Sequence, residues 1–184
     1  MRLQEKYKKQ ILPALKEKFG YTNNLAVPRI TKVTVNIGGG KFVKDSGFIE
    51  AAEDALKKIT GQAPVKTKAK KSISSFKIRE GMVIGLKVTL RKDRMFDFLE
   101  KLINITLPRV RDFRGLTAKA IDDQGNFNIG FSEHMAFPEV SPDDIDKVHG
   151  LEVCITTTAR TKEEGVELFK LFGFPFKQPE EKNK

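Results

Sequence analysis

Ten lysines and arginines lie within the 31 residues from Pro64 to Arg94, and only Glu80 and Asp93 offset them. The ten cations are Lys66, Lys68, Lys70, Lys71, Lys77, Arg79, Lys87, Arg91, Lys92 and Arg94. Such a density favours binding to the phosphates of a polyanion, because each neutralised phosphate releases condensed counterions. A charged loop that is merely solvated is the alternative. Apolar residues such as Ile84 interrupt the charges, which favours a basic loop attached to folded strands over a disordered segment.

Three glycines, Gly38 to Gly40, followed by Lys41, come between a predicted strand and a predicted helix, which is the position of many nucleotide-binding loops. A dinucleotide fingerprint needs a third glycine where Val43 stands, and the Gly-Lys-Ser/Thr sequence of a P-loop does not follow. The pattern therefore favours a turn with positive φ, past which an RNA backbone can run closely. A nucleotide-using enzyme built around this turn is the main alternative from another class.

Groups suited to nucleophilic catalysis or metal binding are sparse. His134 and His149 lack a nucleophile motif and metal-ligand spacing, so we expect both in loops or at the surface. Cys154 is the single cysteine, which excludes an intramolecular disulfide and predicts a small sheet or core residue. The acidic cluster at 143–146 could hold magnesium, but the Ser-Pro before it favours the start of a helix. We therefore expect no catalytic residues, no metal and no cofactor.

Two segments alternate between apolar and polar residues, as half-buried strands do. The polar positions are Lys32, Thr34 and Asn36 in the segment from Arg29 to Ile37, and Lys87, Thr89 and Arg91 in the segment from Ile84 to Arg91. If the two strands are neighbours, short polar side chains between cations let a ribose–phosphate backbone approach closely. Leu151 to Thr158 predicts a third strand of the same kind.

Apolar residues at helical spacing predict four helices. We expect them at 3–19, with a kink or break at Pro13, at 46–60, at 93–107, and at 161–172, where Thr161 and Glu164 form a capping box. Leu116 to Phe131 predicts a hairpin with its turn at 122–125 and with Phe127, Ile129 and Phe131 pointing inward. Because those phenylalanines belong to the core, recognition of a structured RNA by shape and backbone fits better than stacking of bases on the sheet.

Strands that alternate cleanly are typical of an antiparallel sheet with one uncovered face. The prediction is an α+β, two-layer, mainly antiparallel fold with helices on one face and an open RNA-binding face. We expect a single domain over residues 1–176 with a basic loop at 70–82, and a charged flexible tail at 177–184.

Charge is divided unevenly along the 184 residues, whose formal net charge is +10. Residues 1–120 carry 27 Lys and Arg against 11 Asp and Glu, and residues 121–184 carry 7 against 13. One part of the surface is therefore expected to face a polyanion, and another a basic partner or solvent. The absence of a signal-like apolar segment and of an 18-residue apolar run predicts a soluble, cytoplasmic protein.

Several longer motifs carry a resemblance to a known family. They are TKAKKSISSFKIREGMVIGLKVTLRKDRM at 67–95, LPRVRDFRGL at 107–116, GNFNIG at 125–130, FPE at 137–139, TTTARTKEEG at 156–165 and FGFPF at 172–176. With them the chain closely resembles, from Tyr7 to Phe176, the bacterial L5 family of large-subunit ribosomal proteins.

The resemblance implies a structural protein that binds 5S rRNA and helps attach it to the large rRNA in the central protuberance of the ribosome. It also implies contacts with the peptidyl-site tRNA and, across an intersubunit bridge, with a protein of the small-subunit head; the protein itself would be a monomer within the ribosome. The bridge would use the acidic region from Glu139 to Asp146.

Site residues carry over by position. The implied 5S rRNA contacts are Asn36, Gly38, Gln62 and Thr89, with Lys32, Lys87 and Arg91 as phosphate partners and Thr34 beside them on the same strand face. The implied tRNA-contacting loop contains Lys70, Lys71, Ser72, Phe76, Lys77 and Arg79. Phe76 has two interpretations, since a loop aromatic can stack on an exposed base or pin the loop to the domain.

Overall fold

The computed structural model describes residues 2–40, 46–140 and 148–177. Its sheet has five strands: β1 (Ile30–Gly38), β2 (Val65–Lys68), β3 (Val83–Leu90), β4 (Phe127–Phe131) and β5 (Leu151–Thr157). They are ordered β2-β3-β1-β5-β4, and every neighbouring pair is antiparallel. The predicted antiparallel α+β fold is confirmed, and β1 and β3, which carry the predicted polar positions, are neighbours.

One face of the sheet forms the core. Val33, Val35 and Ile37 of β1 are at most 1% exposed, and the inward residues of the other central strands are buried beside them. Helices cover this face because their own apolar residues, spaced at helical intervals, bury against it. The side chains that alternate with this set on β1 and β3, such as Thr34 and Lys87, are half-buried or exposed.

Four helices lie in the described chain, and two of them contain a π-helical turn. Helix α1 runs through Leu3–Lys6, the π-helical Tyr7–Ile11 and Leu12–Phe19; α2 is Ser46–Thr60; α3 runs through Lys92–Lys101, the π-helical Leu102–Thr106 and Leu107–Arg109; α4 is Lys162–Phe172. Each π-helical turn ends two residues before a proline, Pro13 or Pro108. A proline ring clashes with the carbonyl four residues earlier, and the wider turn relieves that clash. The predicted break at Pro13 is therefore a widened turn in a continuous helix.

Two strand predictions need correction. In the described segment 116–126, only Ile121 pairs with Phe127, so the predicted hairpin has a turn but lacks its first strand. The backbone there is instead held by the C-terminal segment, since Leu116 N–H donates to Pro175 O and Lys177 N–H to Leu116 O. Strand β2 was not predicted, because its sequence, Val-Lys-Thr-Lys, reads as part of the basic segment rather than as an apolar alternation.

Candidate nucleic-acid interface

The predicted 5S-contacting residues of β1 and β3 lie on one uncovered side of the sheet, which we call the open face. Paired residues of neighbouring strands share a face. Thr34 pairs with Thr89, Asn36 with Lys87, and Gly38 with Gly85. Lys32 and Arg91 belong to the same alternating sets. Val33 pairs with Leu90, so the same register, continued by one residue, places Lys32 beside Arg91. The structure therefore brings the predicted polar set together.

Gln62 joins this set from outside the strands. It follows α2, and its Nε2 donates to the backbone oxygen of Thr89 at 3.4 Å. Strand β2 reaches β3 only as far as the pair Val65 and Lys87, so the carbonyl of Thr89 would otherwise lack a strand partner on that side. Gln62 thus lies at the edge of the open face, where its amide presents both a donor and an acceptor.

Between its cations, the open face carries glycines and short side chains. Gly38 has no heavy atom within 4 Å of the position that a Cβ would occupy, and Gly130 on β4 is equally open. Thr34, Thr89 and Cys154 between them are short. A surface of this kind lets a sugar–phosphate backbone approach the strands closely, with the longer lysines reaching around it.

Sequence reasoning missed the part of the open face that β5 and β4 contribute. Glu152 pairs with Asn36, and Cys154 pairs with Thr34 and with Asn128. The signal was available, because Glu152, Cys154 and Thr156 are the alternate positions of the third predicted strand. The Cys154 thiol, predicted as a small sheet or core residue, is a half-buried residue of this face. Burial and the neighbouring Glu152 carboxylate raise its pKa.

Charge on the open face is asymmetric. Lys32 and Lys87 lie on β1 and β3, whereas Glu152 places a carboxylate on β5 next to Asn36. A phosphate is attracted to the first side and repelled from the second. The face therefore fits an RNA backbone that follows β1 and β3 and leaves β4 and β5 for uncharged groups.

Of the ten cations in the basic segment, Lys66 does not lie on the open face. Its Nζ lies 3.1 Å from a carboxylate oxygen of Glu53 on α2. Hydrogen bonds from Lys66 and then Lys57 lower the pKa of Glu53. Lys66 pairs with Leu86, a core residue, so it lies on the helix-covered side of β2.

The basic loop at 70–82 is an ordered extension of β2 and β3. Ala69 and Met82 are joined by an N–H···O bond of 2.8 Å, and Ile73 and Ile78 pair as a short antiparallel bridge. Ser72 Oγ accepts from Glu80 N–H at 2.9 Å. Its candidate residues Lys70, Lys71, Ser72, Phe76, Lys77 and Arg79 are all exposed.

Phe76 is 69% exposed at the tip of this loop. The side chain therefore does not pin the loop to the domain, and stacking on an exposed base stays a prediction. Next to it Lys77 adopts φ of 55°, a left-handed conformation that is strained for a residue with a side chain.

The glycine run has a different role from the predicted one. The glycines with positive φ in the described residues do not include Gly38, Gly39 or Gly40, so the predicted positive-φ turn is wrong. Gly39 is closely packed, because a Cβ there would lie 3.3 Å from Ile49 Cδ1 on α2. Gly39 N–H also donates to Ile84 O at 2.8 Å, so the run continues the pairing of β1 with β3.

The two histidines were expected in loops or at the surface; His149 lies in a loop and His134 begins a short 3₁₀ turn, but both are buried, so the surface alternative is wrong. His134 and His149 are 2% and 6% exposed, and their rings stack at 4.0 Å. Their burial could not be predicted from the sequence, because neither histidine lies in a periodic segment and their contact joins residues 15 apart in the chain.

In the acidic region, Glu139 is engaged inside the molecule. Its Oε1 accepts from Lys101 Nζ at 2.6 Å, and the same ammonium donates to Ile59 O at 2.5 Å. Asp143, Asp144 and Asp146 lie outside the described residues. Among residues 2–40, 46–140 and 148–177, no group of three His, Cys, Asp or Glu side chains is placed to hold a metal ion. No helix within those ranges is long and apolar enough to cross a membrane.

Comparison with known proteins gives matches along nearly the whole chain. Residues 23–79 match the model of the family described as ribosomal protein L5, and residues 83–176 match the model of that family's C-terminus. The large ribosomal subunit protein uL5 of Halothermothrix orenii is 54% identical, over 96% of this chain and 98% of its own. The proteins of the same name from Desulforapulum autotrophicum and Caldanaerobacter subterraneus are 55% and 53% identical, each over 95% of this chain and 98% of its own.

Proposed function

Because the chain belongs to the ribosomal protein L5 family, and is thereby a structural, non-enzymatic constituent of the large ribosomal subunit in the cytoplasm, we propose that its open face binds 5S rRNA. The family membership establishes an association with large-subunit rRNA within the ribosome. It also removes the nucleotide-using enzyme from consideration. The finer assignment, 5S rRNA on β1 and β3 and attachment of that RNA to the large rRNA, is ours.

The observation that carries this proposal is the convergence of the polar set on one uncovered surface. Lys32, Lys87 and Arg91 supply point charges for phosphates, while Asn36 and Gln62 supply amides that can accept and donate at once. The open floor at Gly38 removes the steric obstacle to an RNA backbone. An arrangement of this kind recognises a folded RNA by its backbone and shape rather than by base stacking on the sheet.

The first test reverses charge on the open face. In the variant Lys32→Glu with Lys87→Glu, we expect 5S rRNA affinity to fall strongly and the slope of log K against log salt to decrease by about two, one for each lost phosphate contact. Titrations at several salt concentrations measure both quantities. Lys9→Glu with Lys170→Glu is the matched control, since it changes the net charge equally and these exposed lysines lie on α1 and α4 in the helix layer. An unchanged affinity in the variant Lys32→Glu with Lys87→Glu would refute the assignment of the open face.

We propose further that the loop at 70–82 contacts the peptidyl-site tRNA. Its support is the ordered backbone together with exposed cations and the exposed Phe76. Replacing Lys70, Lys71 and Lys77 by alanine should leave 5S rRNA binding largely intact but weaken tRNA footprints on assembled ribosomes. Phe76→Ala, which removes no charge, tests stacking separately. Equal loss of 5S rRNA binding and tRNA protection would mean that loop and open face are one surface.

The contact with a protein of the small-subunit head is proposed for the acidic region 139–146. Within it, Glu139 is bound to Lys101, so we assign Glu139 the role of anchoring this region to α3 rather than of touching the partner. Glu139→Gln should therefore lower the stability of the free protein more than it weakens the association of the two subunits. A thermal melt and a subunit-association assay separate these outcomes.

A further inference from the structure

A groove with a positively charged rim lies at the end of the sheet, between α1 and α3. It has a volume of about 500 Å³, within the range of roughly 300–1,000 Å³ in which proteins hold small ligands. Its apolar wall is formed by Tyr7, Ile30, Met95 and Phe96. Four cations from three parts of the chain surround it: Lys8 of α1, Arg29 before β1, and Arg91 and Lys92 where β3 passes into α3.

All four cations are exposed, and within residues 2–40, 46–140 and 148–177 none of their side chains forms an ion pair or a hydrogen bond. Among the described residues, those that line the groove include no carboxylate. Asp93, which follows Lys92, accepts a hydrogen bond from Gln4 Nε2 at 3.3 Å, and its carboxylate offsets one of the four positive charges. Four like charges around one cavity repel one another, and an anion that enters relieves this repulsion.

The backbone at the rim is strained as well. Lys92 adopts φ of 54°, one of three residues other than glycine with positive φ in the described chain. A lysine in the left-handed region costs about 1 kcal/mol or more, and such strain is concentrated at functional sites. Here it directs the chain from β3 into α3 with two adjacent cations at the mouth of the groove.

From these observations we infer that the groove is a second RNA contact, which receives one unstacked nucleotide with its phosphates against the four cations and its base against Phe96. This inference rests on the proposed binding of RNA to the open face. Lys32, near the start of β1, lies beside Arg91, which follows β3 and also lines the groove, so an RNA strand on the open face can reach the groove at Arg91. A half-buried aromatic wall beneath cations is the arrangement that holds single-stranded nucleotides.

Charge reversal at the groove tests the phosphate contacts without altering the open face. Lys8→Glu with Arg29→Glu should weaken 5S rRNA binding by about tenfold or more and lower the salt slope by about two. The control is Lys9→Glu with Lys170→Glu, which changes the same net charge at exposed positions outside the groove. An affinity equal to that of the control overturns the inference. It leaves the proposed function intact if Lys32→Glu with Lys87→Glu still abolishes binding.

The base contact has a direct optical test. The chain has no tryptophan, so Phe96→Trp introduces a single reporter into the wall of the groove. Stacking of a base should quench its fluorescence on addition of 5S rRNA, whereas Phe19→Trp, on α1 but outside the groove, should report no change. Polyglutamate at equal charge tests the alternative that the groove binds an acidic protein segment. Quenching by polyglutamate as strong as by RNA, or no quenching by RNA, overturns the inference.

Discussion

Gly38 contributes to the open face by having no side chain. No atom lies within 4 Å of its Cβ position, and its φ lies outside the left-handed region, so Gly38→Val should fold normally and fit a strand better than glycine does. The added methyl groups would nevertheless hold an RNA backbone away from β1 and β3. We expect an unchanged or raised melting temperature together with a large loss of 5S rRNA affinity.

Gly130→Val provides the matched comparison for this substitution. Gly130 has the same open surroundings, but it pairs with Glu152 on the side of the face that repels phosphates. Its replacement should leave RNA affinity near that of the unmodified protein. If both valines weaken binding equally, RNA covers the whole sheet, and the claim that the Glu152 side of the face repels phosphates is wrong.

Lys92 permits a second test at the scale of one residue. Lys92→Gly and Lys92→Ala remove the same charge, but only glycine relieves the left-handed backbone. Denaturant unfolding should show the glycine variant to be more stable than the alanine variant by about 1 kcal/mol. Both should bind RNA more weakly than the unmodified protein, and to the same extent. Equal stability would show that position 92 carries no strain.

At the scale of elements, the turn at 122–125 and the start of α4 are in direct backbone contact. The Cα atoms of Gly125 and Gly165 lie so close that a Cβ on Gly165 would be 2.5 Å from Gly125 Cα. Gly→Ala inside a helix usually stabilises by about 1 kcal/mol. Gly165→Ala should instead destabilise the protein, by about 1–3 kcal/mol as overpacking does. Thermal unfolding measures the sign, and a stabilised variant would refute this contact.

The same elements explain which structural features the sequence could predict. Alternation in β1, β3 and β5 and the capping box of α4, where Thr161 Oγ1 accepts from Glu164 N–H at 3.3 Å, are local patterns, and each is confirmed. The close contact of Gly125 with Gly165, the stacking of His134 on His149 and the pairing of β2 with β3 join residues distant in sequence. Periodicity carries no information about such partners. The groove was missed for this reason, since its cations come from three separate segments.

At the scale of the whole molecule, α1 and the segment that follows it pack against α4. Tyr7 stacks on Phe172 with ring centroids 5.9 Å apart, and Lys18 forms a 2.7 Å ion pair with Glu167. Tyr21 donates its hydroxyl to Glu164 at 2.5 Å. Helix α1 therefore packs against α4, which holds the Lys8 side of the groove in a fixed position relative to the sheet.

This junction should make stability depend on alkaline pH. Burial, and then the hydrogen bond to Glu164, raise the pKa of Tyr21 from 10.0 to about 12. The folded protein thus holds this proton more tightly than the unfolded chain, so the contribution of Tyr21 is complete below pH 10 and is lost as the pH rises towards 12. Denaturant unfolding between pH 9 and 12 should show a steeper fall for the unmodified protein than for Tyr21→Phe. Parallel curves would contradict the junction.

The two regions that match family models, 23–79 and 83–176, divide the sequence but share one sheet. Strand β1 comes from the first region, and both of its neighbours, β3 and β5, come from the second. A fragment that ends before β3 would leave the apolar side of β1 without the core residues that cover it. We therefore propose that residues 1–176 unfold as one cooperative domain. Hydrogen exchange should give β1, β3 and β5 equal protection, and the isolated fragment 1–81 should remain unfolded, whereas two separate transitions would show that the matched regions are independent domains.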